Sequence, residues 1–283
     1  MAETATGVDH QGTWSSERRT ELEERSSKAY ANLAMRFLRS VFNFAIAQYE
    51  DGFGKPLLTE NPLQRLTQTR AWYRAERRQT VIKVHQLGAW YRAVEGLRRN
   101  VVPFGQVVAD YLLVLLFRGL RRQEAAQLTW DRVDLKDRTL VIPDPKNREP
   151  FLLPFSEFVA ELFERRREVV ESAYAFRGAG RQGCLIEPRN PIAAVTEASR
   201  VAFTIHDLRR TCITIAESID IQPYAIKRLV NHKMRDDATA GYIVADVERL
   251  RAPVRRVSDF LLKALGLKSS AAVRALRAAQ AEA

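Results

Sequence analysis

Residues 139–153 read TLVIPDPKNREPFLL. Two short runs of β-branched and large apolar residues, Thr139 to Ile142 and Phe151 to Leu153, flank the proline-bounded loop PDPKNREP, with Lys146 at its tip. Such a pattern predicts a β-hairpin. It is the one clear strand signal in the chain, and apolar residues elsewhere recur at helical spacing. The expectation is therefore a mainly α fold with a small β-hairpin or sheet.

Upstream of the hairpin, helical patterns run from Val81 to Leu97, through the strongly apolar Val107 to Phe117, and into a short helix after Leu120. Downstream, Ser156 is placed to cap a charged helix reaching about Ala173. The Gly-rich FRGAGRQG that follows lacks the strand, Lys and Ser/Thr context of a phosphate-binding loop and reads as a flexible connection. Short helices are expected around Ala193 to Arg200, His206 to Ser218 and Pro223 to Val230. A longer one spans Val247 to Leu265, whose Leu261, Leu262 and Leu265 form an apolar edge suited to a neighbouring subunit or to the helix's own domain.

The N-terminal part differs in character. Residues 1 to about 26 are polar, with no periodic apolar face. From Ala31 an amphipathic helix places Leu33, Phe37, Val41, Phe44 and Ala45 on one face and Arg36, Arg39 and Asn43 elsewhere, ending near Gly52 and Gly54. One such helix cannot bury its own face. The stretch NPLQRLTQTRAWYRAERRQ (residues 61–79) then presents Arg65, Arg70, Arg74, Arg77 and Arg78 among few apolar residues, as a basic linker along a phosphate backbone would. The expected division is a helical region with its linker over 1–79, a larger domain over 80–266, and a tail over 267–283.

The 283 residues carry 45 Lys plus Arg against 34 Asp plus Glu, a formal charge of +11, which favours a polyanionic partner, foremost nucleic acid. A start lacking a basic n-region and an apolar h-region, with a longest apolar run (Tyr111 to Phe117) too short for a bilayer, leads to the expectation of a cytoplasmic protein without membrane association. Cys184 and Cys212 form no CxxC pair, so neither a disulfide framework nor a zinc site is indicated. Asp236 and Asp237 have no further carboxylates beside them to build a two-metal site, so neither metal nor other cofactor is expected.

Four segments carry groups able to act on a phosphodiester: RGLRRQE (118–124), Lys146, HDLRRT (206–211) and VNHKMRDDATAGY (230–242). Singly, each has an ordinary structural reading. Arg121 can be a solvated helix-start side chain, His206 and Arg209 a surface pair three apart on a helix, His232 a helix-end residue, and Tyr242 a core aromatic. In this order and spacing they closely resemble the tyrosine recombinase (phage integrase) family over about residues 80–265. Its Gly-x-Arg-x-x-Glu turn matches Gly119, Arg121 and Glu124, and its hairpin lysine matches Lys146. The His-x-x-Arg box matches His206 and Arg209, and the later histidine and nucleophilic tyrosine match His232 and Tyr242.

The resemblance implies a tyrosine recombinase-like catalytic domain preceded by a partial helical core-binding domain. It also implies an enzyme that cuts and rejoins double-stranded DNA through a 3′-phosphotyrosine. Arg121 and Arg209 would neutralise the phosphate, His206 would help move the proton of Tyr242, Lys146 would protonate the leaving 5′ oxygen, and His232 would hydrogen-bond the phosphate, with Glu124 orienting Arg121. A homotetramer on DNA, drawn from chains that can be monomeric in solution, and integration or excision of a mobile element follow from the same resemblance. Strand religation like that of type IB topoisomerases, or a truncated DNA-binding remnant, are the alternatives. Two departures adjoin the reactive positions. Arg118-Gly119 stands where the family often has Thr-Gly, and Val230-Asn231 where it often has Leu-Gly. Arg148 is a second candidate for the hairpin base should the register slip.

Overall fold

The computed structural model describes residues 27–74, 79–99, 104–143, 150–169, 172–231 and 247–268. Lys146, Arg148, His232, Tyr242, Arg77 and Arg78 lie outside the described residues. The chain forms two compact units, residues 1–79 and 80–283.

In the first unit, helix α1 (Lys28–Gln48) begins at Ser27, whose hydroxyl accepts from the Tyr30 amide at 3.3 Å. The face it buries holds Ala31, Asn32 and Met35, and the stripe Leu33, Phe37, Val41 and Phe44 stays exposed. Short helix α2 (Gln64–Gln68) supplies Leu63 and Leu66 to that small core, and Trp72 packs at its edge beneath the guanidinium groups of Arg36 and Arg39. Part of the expected linker is thus core. Two asparagines replace missing apolar area with hydrogen bonds: Asn32 exchanges bonds with the Tyr73 backbone (2.8 and 3.2 Å), and Asn61 donates to the Arg39 carbonyl at 2.9 Å.

The second unit is built on α4 (Gly105–Arg118), buried over almost its full length because its apolar residues cover every side. It is flanked by α3 (Val84–Arg99), which contributes Leu87, Trp90, Val94 and Leu97, and by α8 (Ile205–Ser218), with the short α5 (Arg122–Ala126) following. The sheet has one strand more than the sequence announces. β1 (Val133–Asp134) pairs antiparallel with β2 (Thr139–Ile142), which pairs with β3 (Phe151–Pro154), with Leu140 opposite Leu153. A two-residue strand offers no alternation to read.

Helices α6 (Glu157–Val169), α7 (Arg189–Ser199), α9 (Pro223–Leu229) and α10 (Glu248–Ala264) complete the unit. The apolar edge of α10 is spent at home: Val257, Leu261, Leu262 and Leu265 join the main core, and Leu250 and Val254 pack with Leu229 and Val230. Of the two readings of that edge, the one seen within this chain is closure of its own domain. The FRGAGRQG segment is likewise tied down. Gly178 donates to the Gly183 carbonyl and Leu185 to that of Phe176, and a Cβ at Gly178 would stand 2.2 Å from the Cys184 carbonyl oxygen. Cys184 and Cys212 are buried free thiols.

Candidate active site

The first box lies where α4 stops. Gly119 ends the helix in the left-handed conformation (φ 63°), and a Cβ there would sit 3.2 Å from the Cys212 sulfur, so glycine answers both the backbone and the packing. Two residues on, Arg121 caps α5, its amide donating to Glu124 Oε2 at 2.7 Å while its guanidinium pairs with the other carboxylate oxygen. Glu124 therefore fixes both the turn and the side chain.

The second box sits on α8. Thr204 and Asp207 form a reciprocal capping box. The buried Asp207 carboxylate also accepts from Thr80 Oγ1 at 2.7 Å and from Arg210 at 2.8 Å. This clamps the helix start that carries His206 and Arg209. Sequence reading passed over Asp207, although Thr-x-x-Asp before an apolar helix is a legible capping signal.

The two boxes meet at a third element. Arg209, buried, donates to the Gly119 carbonyl at 2.6 Å and to that of Val230. Arg121 donates through Nη2 to the carbonyl of Asn231 at 3.0 Å. The guanidinium groups thereby stand side by side on consecutive carbonyls of the turn that leads into His232. Burial first, and then the Arg121 charge, push the Arg209 pKa down to about 10, which leaves it cationic at neutral pH. His206 is exposed beside them; partial burial, and the Arg210 and Arg209 cations, lower its pKa from the usual 6.5, so its imidazole is neutral at pH 7.

A cleft of about 510 Å³ is lined by Arg121, Glu124 and His206 together with Val141 and Ile142 of the sheet and Pro143 just after it. Pro143 directly precedes residues 144–149, to which Lys146 belongs. The described residues thus bring Arg121, Glu124, His206 and Arg209 together. Arg65, Arg70 and Arg74 are exposed in the first unit.

The structure accommodates the two departures differently. Asn231 takes the left-handed conformation (φ 46°) that glycine would supply, and asparagine tolerates it better than most side chains do. Arg118 is buried, and its Nε and Nη2 have no hydrogen-bond partner among the described residues. Burial pushes its pKa down to about 10. It lies directly behind the Gly119 turn, and no carboxylate among the described residues pairs with it.

Comparison with known proteins identifies the family and the fold. The model of the phage integrase family matches residues 100–249, more than half of the chain, and the chain belongs to that family of tyrosine recombinases. Over 192 residues it is 28% identical to the prophage integrase IntF of Escherichia coli (strain K12), a match covering 66% of this chain and 40% of that protein. The chain therefore spans well under half of that relative's length. Among solved structures, a lambda integrase dimer bound to a COC′ core site superposes with a TM-score of 0.60 at 19% identity, over 85% of this chain and 66% of that one. A XerH recombinase in a post-cleavage complex with palindromic difH DNA gives 0.61 at 15%, over 89% and 71%. These likenesses establish the shared fold. No described helix is long and apolar enough to cross a membrane, and no group of three or more metal-ligating side chains occurs among the described residues.

Proposed function

We propose that the protein is a site-specific DNA recombinase that cleaves and rejoins double-stranded DNA through a 3′-phosphotyrosine on Tyr242, in the service of a mobile element's integration or excision. The observation that carries this reading is the pair of guanidinium groups, Arg121 and Arg209, held side by side on the carbonyls of Asn231 and Val230. Two fixed cations suit the non-bridging oxygens of one phosphate, whose charge grows in the transition state. A phenol of pKa ~10 attacks poorly unless its phenolate is favoured, and the same cations favour it. The neutral imidazole of His206 can accept the Tyr242 proton. Lys146 would protonate the departing 5′ oxygen, and His232 would donate to the phosphate. The phosphotyrosine conserves the energy of the broken bond, so a 5′ hydroxyl from another strand reverses the step without ATP.

On this reading residues 80–266 are the catalytic domain and residues 1–79 a partial core-binding region with its basic linker; four protomers would assemble on DNA. Incubation with a nicked suicide substrate carrying a candidate attachment site tests it. A recombinase leaves a protein–DNA adduct on a denaturing gel and exchanges strands between paired sites. Relaxation of supercoiled DNA without exchange would mark a religating topoisomerase, and binding without adduct would mark a remnant.

A further inference from the structure

The box HDLRRT (206–211) holds two residues that the proposed chemistry leaves without a task, Asp207 and Thr211, each 1% exposed. Their side chains tie distant parts of the chain to the first turns of α8. Asp207 Oδ2 accepts the Thr204 amide and hydroxyl, each at 2.8 Å, and Oδ1 accepts Thr80 Oγ1 at 2.7 Å and Arg210 Nη1 at 2.8 Å. A buried carboxylate engaged at both oxygens is held in one orientation. One turn further on, Thr211 donates its hydroxyl to the Asp207 carbonyl at 2.7 Å and accepts the Ile82 amide at 2.9 Å. Residues 80–82 are thus fastened twice to the part of α8 that carries His206 and Arg209. They follow directly on the basic stretch 61–79.

We propose that Asp207 is a positioning residue: with Thr211 it fastens the exit of the basic stretch to α8, so that residues 80–82 and the side chains of His206 and Arg209 are held as one piece. The inference rests on the recombinase reading of the site. A helix start needs only a local cap, which Thr204 and Asp207 already provide between them. The bonds from Thr80 and Ile82, 127 and 129 residues away in sequence from their acceptors, go beyond that need. Such anchoring matters because a displacement of ~1 Å at a reacting group can cost ~100-fold in rate. The carboxylate has a second effect, through its charge. His206 faces Arg209 and Arg210 of its own helix and Arg121 at the start of α5, and it shares its cleft with Arg122, Glu124 and Arg132. Burial first, and then Arg210, Arg209 and Arg121, lower the imidazole pKa, and the Asp207 carboxylate opposes them. Neutralising Asp207 therefore lowers that pKa further and extends the neutral imidazole to lower pH.

Thr80→Val in the full chain tests the fastening, since it removes one hydroxyl at an exposed position and keeps the shape of the side chain. Single-turnover adduct formation at saturating DNA should slow by ~10-fold or more, with DNA affinity and melting temperature unchanged and Thr80→Ser restoring the rate. Asp207→Asn should also be slow and should move the acid limb of the pH–rate profile to lower pH, whereas Thr80→Val leaves that limb in place. Amide hydrogen exchange needs no chemistry, and at Ile82 and Arg209 it should rise by ~10-fold in Thr80→Val. Cleavage at the native rate in Thr80→Val, a lowered melting temperature with no change in rate, or an unmoved acid limb in Asp207→Asn would each overturn the inference. Absence of an adduct from the native chain would instead sink the recombinase reading. In that case raised exchange in Thr80→Val upholds the fastening and unchanged exchange overturns it.

Discussion

Arg209 gives up most of its hydration on folding and recovers it from two backbone carbonyls, Gly119 and Val230, which come from different elements. It therefore holds the site together besides charging it. Arg209→Ala should slow single-turnover cleavage by two powers of ten or more, equivalent to ~3 kcal/mol. It should also lower the melting temperature, because two buried carbonyls lose their donor. Arg121→Ala, exposed, should show the kinetic loss with little change in melting; near-normal cleavage by either variant would refute the clamp.

His206 gives a pH signature. Its pKa is lowered, so the neutral acceptor prevails at pH 7 and is lost as pH falls below that of the folded imidazole. Cleavage should decline on that acid side, and His206→Gln should be slower with the acid limb absent. An unchanged limb in the variant would assign it to another group. At this scale the sequence was informative about identity and silent about placement. Arg121, Glu124, His206 and Arg209 could be named because chemistry and spacing coincide. Their mutual orientation depends on the carbonyls of Val230 and Asn231, and a backbone acceptor leaves no mark in a residue pattern.

Element boundaries were legible wherever a periodic face met a breaker, as at Gly119 after α4 or Pro223 at the start of α9. Orientation was not, and α1 shows why. Its apolar stripe and its buried face are opposite sides of one helix. Ala31, Asn32 and Met35 are a less apolar set than Leu33, Phe37, Val41 and Phe44, so hydrophobicity alone points to the wrong side. The α10 edge stayed open for another reason, because an apolar face on the last helix reads the same whether its own core or a neighbour covers it. At the end of α4, Arg118 is buried with no carboxylate partner among the described residues. Arg118→Met keeps the volume and removes the buried charge, and should raise stability by about 1–3 kcal/mol in denaturant unfolding. A loss of stability would show that the guanidinium has a partner of its own.

At the scale of the whole molecule, the charge of +11 favours a polyanion without naming a reaction, and the family supplies a class of reaction without naming a target. Arg65, Arg70 and Arg74 are exposed on the first unit and would act through phosphates. Neutralising each should reduce the slope of log affinity against log salt by ~0.9, leaving cleavage of bound DNA unchanged. An unaltered slope would remove that arginine from the DNA path. Tyr242 is the proposed nucleophile of a reaction whose charge is managed by side chains. Its most direct test is adduct formation on a nicked suicide substrate in excess EDTA, with the native chain beside Tyr242→Phe. The native chain should form the adduct and the variant should bind the same DNA and form none; an adduct that persists in Tyr242→Phe, or one that vanishes with chelator and returns with magnesium, would contradict the account.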